Sequence, residues 1–220
     1  MQDSYIHKGL RKQLVKLLQN KGITDQRILD GFERIPRHFF IDQAFAEWAY
    51  KDVPFKIDAD QTISQPYTVA FMTHLLDVKI GDKILEIGTG SGFQAALLAF
   101  MGAKTYTIER QEALYIKTGK LLHKLGFDQI RLLLGDGFEG SPRFAPFDKI
   151  IVTAGAESVP QKLLEQLAVG GRMIIPVGDH NDVLKMKRIT KTSPNSFSEE
   201  NFGNFKFVPF LPGVERMKPQ

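Results

Sequence analysis

Apolar and polar residues follow one period at the start of this chain and another after residue 84. Ile6, Leu10, Leu14, Leu17 and Leu18 recur at helical spacing. Ser4 can cap that helix, which should run to about Asn20, and Gly22 stops it. Lys8, Arg11, Lys12 and Lys16 fall mostly off the apolar stripe and predict a solvated face. Thr24 starts a second helix, with Ile28, Leu29, Phe32 and Ile35 inward and Pro36 at its end. From Ile84 short apolar runs alternate with helical segments. Strands are predicted at 84–87, 105–108, 130–134, 149–153 and 172–177, and helices at 94–101, 112–125 and 160–167. This alternation predicts an α/β fold, doubly wound, with a mainly parallel sheet covered on both faces. Residues 1–76 form an N-terminal helical cap and 77–220 the sheet-bearing core, together one domain over 1–220. Residues 190–204, rich in Ser, Asn, Lys and Glu, read as a flexible polar loop. Residues 205–210 read as a closing strand, interrupted by Pro209.

Composition narrows the chemistry mainly by exclusion. The chain has 220 residues and no cysteine, so a disulfide framework, a thiolate metal site and a cysteine nucleophile are all ruled out. A net charge of +4 is too small to argue for nucleic-acid binding. The N-terminus lacks an apolar signal-peptide core, and no apolar stretch approaches the roughly 20 residues of a membrane span. His7, His38, His74, His123 and His180 show no metal-ligand spacing. No nucleophile elbow or P-loop lysine is present.

The most informative stretch is Lys83-Ile84-Leu85-Glu86-Ile87-Gly88-Thr89-Gly90-Ser91-Gly92. A buried strand ends in a glycine turn and opens a helix at Phe93. Such a corner lets backbone approach a ligand and turns free N–H groups toward it. Gly88, Gly90 and Gly92 fit the G-x-G-x-G of S-adenosylmethionine methyltransferases. The run 90–95 also fits the G-x-G-x-x-A dinucleotide fingerprint. Glu109 ends the next predicted strand, where a carboxylate accepts ribose hydroxyls in both cofactor classes. Gln61-Thr62-Ile63-Ser64-Gln65-Pro66-Tyr67 is dense in hydroxyl groups and, on pattern alone, reads as a turn and helix cap. Gly135-Asp136-Gly137 follows the third strand, as a simple turn or with Asp136 accepting from an adenine amino group.

These segments together resemble the bacterial protein-L-isoaspartate O-methyltransferase family. The resemblance covers most of the chain. It is carried by Val53-Pro54 with 61–67, 85–92, Ile108-Glu109-Arg110, Gly135-Asp136-Gly137, 147–154, 163–167, Gly170-Gly171-Arg172 and 175–178. The Thr-Ile-Ser-Gln-Pro segment is highly specific to that family, whereas the glycine turn is shared by most S-adenosylmethionine methyltransferases. The resemblance implies a Rossmann-like methyltransferase fold, S-adenosylmethionine as cofactor, and no metal. It implies methyl transfer to the α-carboxylate of L-isoaspartyl residues in damaged proteins and peptides. Ser64 takes the position of the active-site serine. Thr62, Ile63, Gly88, Thr89, Gly90, Gly92, Glu109, Arg110, Asp136 and Gly137 take cofactor-binding positions. Ser64, Gln65, Val208 and Pro209 take substrate-binding positions. A cytoplasmic monomer that binds neither nucleic acid nor membrane is expected.

The chain departs from the family pattern at Asp58-Ala59-Asp60, at Gly155 and in the tail 211–215, all of which bear on substrate geometry. The alternatives are a methyltransferase of another substrate class, or a non-enzymatic S-adenosylmethionine-binding protein on the same fold. Amino-directed nucleic-acid methyltransferases carry an Asn/Asp-Pro-Pro-aromatic tetrad where this chain has Thr153-Ala154-Gly155-Ala156. A nicotinamide oxidoreductase is disfavoured by the N-terminal cap and the missing catalytic pair.

Overall fold

The computed structural model of the chain describes residues 2–58, 61–179 and 183–217. Ala59, Asp60 and His180, named above, lie outside the described residues. The N-terminal helices are α1 (Tyr5–Asn20) and α2 (Gln26–Arg34). Ser4 caps α1 in a capping box closed by the His7 ring. Two 3-10 segments follow, Arg37–Phe40 and Gln43–Tyr50. A two-stranded antiparallel hairpin, β1 (Phe55–Lys56) and β2 (Thr62–Ile63), leads into α3 (Pro66–Leu76). Arg11, expected in solvent, is buried instead, and Asp3 holds it in a two-bond ion pair of 2.8 Å contacts. Ile6, expected on the apolar stripe, is exposed.

The core elements are β3 (Lys83–Ile87), α4 (Phe93–Phe100), β4 (Lys104–Glu109), α5 (Glu112–Lys124), β5 (Arg131–Leu134) and β6 (Phe147–Val152). They continue with α6 (Gln161–Glu165), β7 (Leu167–Val177), β8 (Leu184–Ser193) and β9 (Ser196–Phe205). The seven-stranded sheet has the order β5-β4-β3-β6-β7-β8-β9. The first five strands in that order are parallel, and β8 and β9 are antiparallel. Chain order reverses at β3, which has β4 on one side and β6 on the other. Ligands of open α/β sheets bind at the carboxyl ends of strands flanking such a switch. Helix α4 is apolar except for Gln94, which donates to Thr73, and almost wholly buried, as a helix wedged between sheet and cap must be. Its Phe93 meets Phe32 and Phe40 edge-on at 5.3 and 5.4 Å between ring centres, which ties the N-terminal helices to the core.

Two expectations fail at the far edge. Residues 190–204 are not a loop: they form most of the β8–β9 hairpin, which turns at Pro194-Asn195. Almost all of β9 is exposed, so no buried face stamps an alternating pattern on it. Ladder hydrogen bonds and cross-strand ion pairs, Arg188–Glu200 and Lys187–Glu199 at 2.7 Å, hold it. Residues 205–210 do not form a closing strand. The segment crosses the loop after β6, where Gly155 N–H donates to Val208 O and Phe210 N–H donates to Gly155 O. Among the described residues no helix is long and apolar enough to cross a membrane.

Candidate active site

A cleft of about 860 Å3, its mouth included, opens at the switch point. Its floor is the turn between β3 and α4. Gly88 and Gly92 take φ of 91° and 87°, a region that L side chains rarely adopt. A Cβ on Gly92 would also lie 2.7 Å from Thr118 Cγ2. At Gly90 the added atom would approach nothing closer than 3.9 Å, so free space lies above the turn. The turn is fixed from outside: Thr118 Oγ1 donates to Gly90 O at 2.7 Å, and Gly90 N–H donates to Glu109 Oε2 at 2.8 Å.

Glu109 is buried at the end of β4 and also accepts from Gln111 N–H at 2.9 Å. Burial pushes its carboxyl above the usual range, and these backbone donors pull it back. A carboxylate offers about four acceptor positions, so capacity remains for two hydroxyl groups. Glu86, not picked out by the sequence patterns, also lines the cleft. Thr107 Oγ1 donates to its Oε2 at 2.5 Å, while Oε1 is buried with no partner among the described residues. Burial pushes this carboxyl up to about 8, which favours its protonated form.

The roof comes from the N-terminal third. Thr62, Ile63 and Ser64 line the cleft opposite Gly88–Ser91. Gln65, not Ser64, is the N-cap residue of α3, and no side chain caps that helix. The turn-and-cap role open to Ser64 is therefore unfilled. Its Oγ has no hydrogen-bond partner among the described residues. The Ser64 carbonyl accepts from Arg37 Nη2 at 2.5 Å. Arg37 is 2% exposed, donates from Nε to Ala49 O, and stacks its guanidinium 4.5 Å from the Phe93 ring. Burial lowers its pKa to about 9, with Tyr50 and Asp52 opposing the shift. Asp52 anchors the following residues: Oδ1 accepts from Tyr67 N–H, and Oδ2 and the carbonyl accept from Gln65 Nε2. A charged residue inside the Ile35-Pro36-Arg37-His38-Phe39-Phe40 run was the available signal for Arg37, because charges set among apolar residues are paired or hydrogen-bonded.

Of the sequence-selected residues, Thr62, Ile63, Ser64, Gly88, Thr89, Gly90, Glu109, Arg110, Gly137, Val208 and Pro209 line this one cleft. Gln65, Gly92 and Asp136 do not. Gln65 turns to Asp52, and Gly92 underlies the turn. Asp136 accepts from Phe138 N–H and, through its other oxygen, from Gly213 N–H in the tail. Arg110 also reaches the tail, donating to Gly213 O and Glu215. Among the described residues one group has metal-ligand character, Asp3, His7 and His38, away from the cleft. Its donor atoms are engaged by Arg11, Ser4, Tyr50 and Gln2.

Comparison with known proteins turns this geometry into a family. Residues 9–215 match the family described as Protein-L-isoaspartate(D-aspartate) O-methyltransferase (PCMT). The chain belongs to the protein-L-isoaspartate O-methyltransferase family. The Christiangramia forsetii protein-L-isoaspartate O-methyltransferase is 54% identical over 96% of this chain and 98% of its own. That of Flavobacterium psychrophilum is 52% identical over the same shares. A solved protein-L-isoaspartate O-methyltransferase superposes with a TM-score of 0.83 at 26% identity, covering 90% of this chain and 65% of the longer solved one. A beta-aspartate methyltransferase (PCMT) from Plasmodium falciparum, solved in complex with S-adenosyl-L-homocysteine, has a TM-score of 0.80 at 24% identity over 91% of this chain and 98% of that one. The family is one of S-adenosylmethionine-dependent methyltransferases, and this cleft fits that cofactor. Free space above Gly90 and spare acceptor capacity on Glu109 suit a nucleoside, and the orphaned Glu86 Oε1 leaves a place for one further polar contact.

Proposed function

We propose that this cleft methylates the α-carboxylate of L-isoaspartyl residues in damaged proteins and peptides, with Ser64 orienting that carboxylate. The observation that carries the reading is the meeting of two surfaces. A cofactor floor, Gly88–Gly90 with Glu109, faces a serine whose hydroxyl has no hydrogen-bond partner among the described residues. Thr62, Ile63, Thr89, Arg110 and Gly137 complete the cofactor side. Val208 and Pro209 hold the peptide on the other side, where Gly155 secures their backbone.

The bound cofactor supplies a methyl group on a sulfonium. The chain's residues have a modest chemical task. A free α-carboxyl has a pKa of about 3.3–3.7, so it arrives as the anion and needs no base. Transfer cancels a carboxylate charge and a sulfonium charge, which a dry site favours. Ile63, Val69, Met72, Ile87, Phe93 and Phe210 provide the apolar walls. Holding oxygen and methyl in line supplies several kcal/mol, with roughly 7–11 as the upper range. The next backbone nitrogen then attacks the ester carbonyl. A C–N bond forms, the C–O bond to methoxide breaks, and the amide proton leaves with it as methanol. Water opens the resulting succinimide partly to normal aspartate without an enzyme. The chain works in this reading as a cytoplasmic monomer in which N-terminal cap and core act as one domain.

The test is methylation of two peptides that differ only in an isoaspartyl or an aspartyl linkage, with labelled S-adenosylmethionine. Label should enter the isoaspartyl peptide and scarcely the other. Equal labelling would refute the substrate assignment. Calorimetry should show binding of S-adenosylmethionine and not of NAD.

A further inference from the structure

A second groove, of about 1150 Å3 with its mouth included, lies behind the β1–β2 hairpin. The hairpin is the wall between groove and cleft. Phe55 and Lys56 of β1 line the groove, while their cross-strand partners Ile63 and Thr62 line the cleft. Gly90 and Ser91 line both.

The floor of the groove is aromatic. Phe45 and Phe55 lie 5.1 Å apart, and Phe45 is 45% exposed. Its rim is basic. Lys117, Lys120 and Lys124 follow one another at three- and four-residue steps along α5, and Lys56 faces them from β1. Like charges at this spacing repel on a helix, a cost that needs a counter-charge. Asp58 pairs with Lys117, and Asp42 is spent on capping a 3-10 segment. Among the described residues Lys56, Lys120 and Lys124 form no ion pair. An apolar floor whose described rim sets four lysines against two aspartates suits an acidic segment that carries an aromatic side chain.

We propose that this groove is a docking subsite for the chain flanking the isoaspartyl residue, selecting a flank with an aromatic residue beside acidic ones. The inference rests on the methyl-transfer reading for its purpose, not for its test. The probe is a labelled peptide arm of one phenylalanine and three glutamates, without isoaspartate, followed by fluorescence anisotropy. Saturable binding to the unmodified protein is expected, and its loss in K120E/K124E. These two exposed positions are remote from the cofactor contacts, so folding and basal turnover should persist. Replacing the arm's phenylalanine by serine should weaken binding about three- to tenfold, as should Phe45→Ala. Absence of arm binding, or equal binding by both variants, overturns the proposal. Equally tight binding of an oligonucleotide of matched charge overturns it too, because charge alone would then suffice. In turnover, an isoaspartyl peptide bearing the arm should show KM raised about tenfold in K120E/K124E with kcat unchanged, and an arm-free peptide no change. Failure of both peptides to be methylated, with arm binding intact, would count against the methyl-transfer reading and leave the groove standing.

Discussion

The floor and the roof of the cleft are built by different means. The floor is nearly continuous in the chain: strand β3, three glycines, helix α4 and the end of β4. Its own β-α-β unit supplies the bond from Gly90 N–H to Glu109, and Thr118 of α5 and Thr153 after β6 brace the turn's carbonyls. The roof is a short segment with little regular structure of its own, held by side chains from elsewhere. Arg37 and Asp52 reach Ser64, Gln65 and Tyr67 across 13 to 27 residues of sequence. A floor made of backbone conformation is pre-set by glycine. A roof hung on buried polar side chains is only as exact as those bonds, and losing one leaves a buried group unsatisfied.

This contrast is open to attack at both surfaces. The largest effect is expected on the floor. Gly92→Ala forces a side chain into a φ of 87° and against Thr118, costing roughly 2–5 kcal/mol from backbone strain and overpacking. Chemical denaturation measures it, and a loss below 1 kcal/mol would show the turn is not pre-set. Arg37→Lys keeps a charge but cannot make both bonds of the guanidinium fork. At about 1.5–3 kcal/mol for a charged hydrogen bond, kcat/KM for an isoaspartyl peptide should fall about 10- to 150-fold. S-adenosylmethionine affinity should change less than threefold, which calorimetry reads. Parallel losses would mean that floor and roof are not separable. Glu109→Ala should do the reverse, weakening the cofactor about 10- to 150-fold in a folded protein.

A smaller effect is expected from pH. The Glu86 carboxyl is raised from an ordinary 4.5 to about 8, so the folded state holds a proton that the unfolded chain releases. The stability linked to this proton is full below 4.5 and is lost as pH rises toward 8, at up to about 1.4 kcal/mol per unit. Burial of Glu109 acts in the same direction. Glu86→Gln should flatten the decline of Tm between pH 5 and 8. An unchanged slope would mean that Glu86 is already ionised in the fold.

The same contrast explains what was legible in the sequence. Strand β3 and its glycine turn announce themselves because an apolar run, a φ requirement and a helix start sit side by side. Ser64 was legible only through a family resemblance, because nothing within its own segment says what holds it. Arg37 was passed over because its partners are distant backbone carbonyls, which no side-chain pattern records. Residues 190–204 read as a loop because almost every residue of β9 meets solvent, although Pro194-Asn195 marks the hairpin turn. Asp136 and Arg110 take cofactor positions by resemblance, yet both reach the C-terminal tail, a contact between residues 77 to 105 apart.

Whether the floor holds cofactor while the roof presents the substrate carboxylate is decided by Ser64→Ala. Turnover of an isoaspartyl peptide and S-adenosylmethionine affinity should be measured on the same folded preparation. A steep fall in kcat is expected, with cofactor affinity and stability within error of the unmodified protein. Full turnover in Ser64→Ala would contradict it.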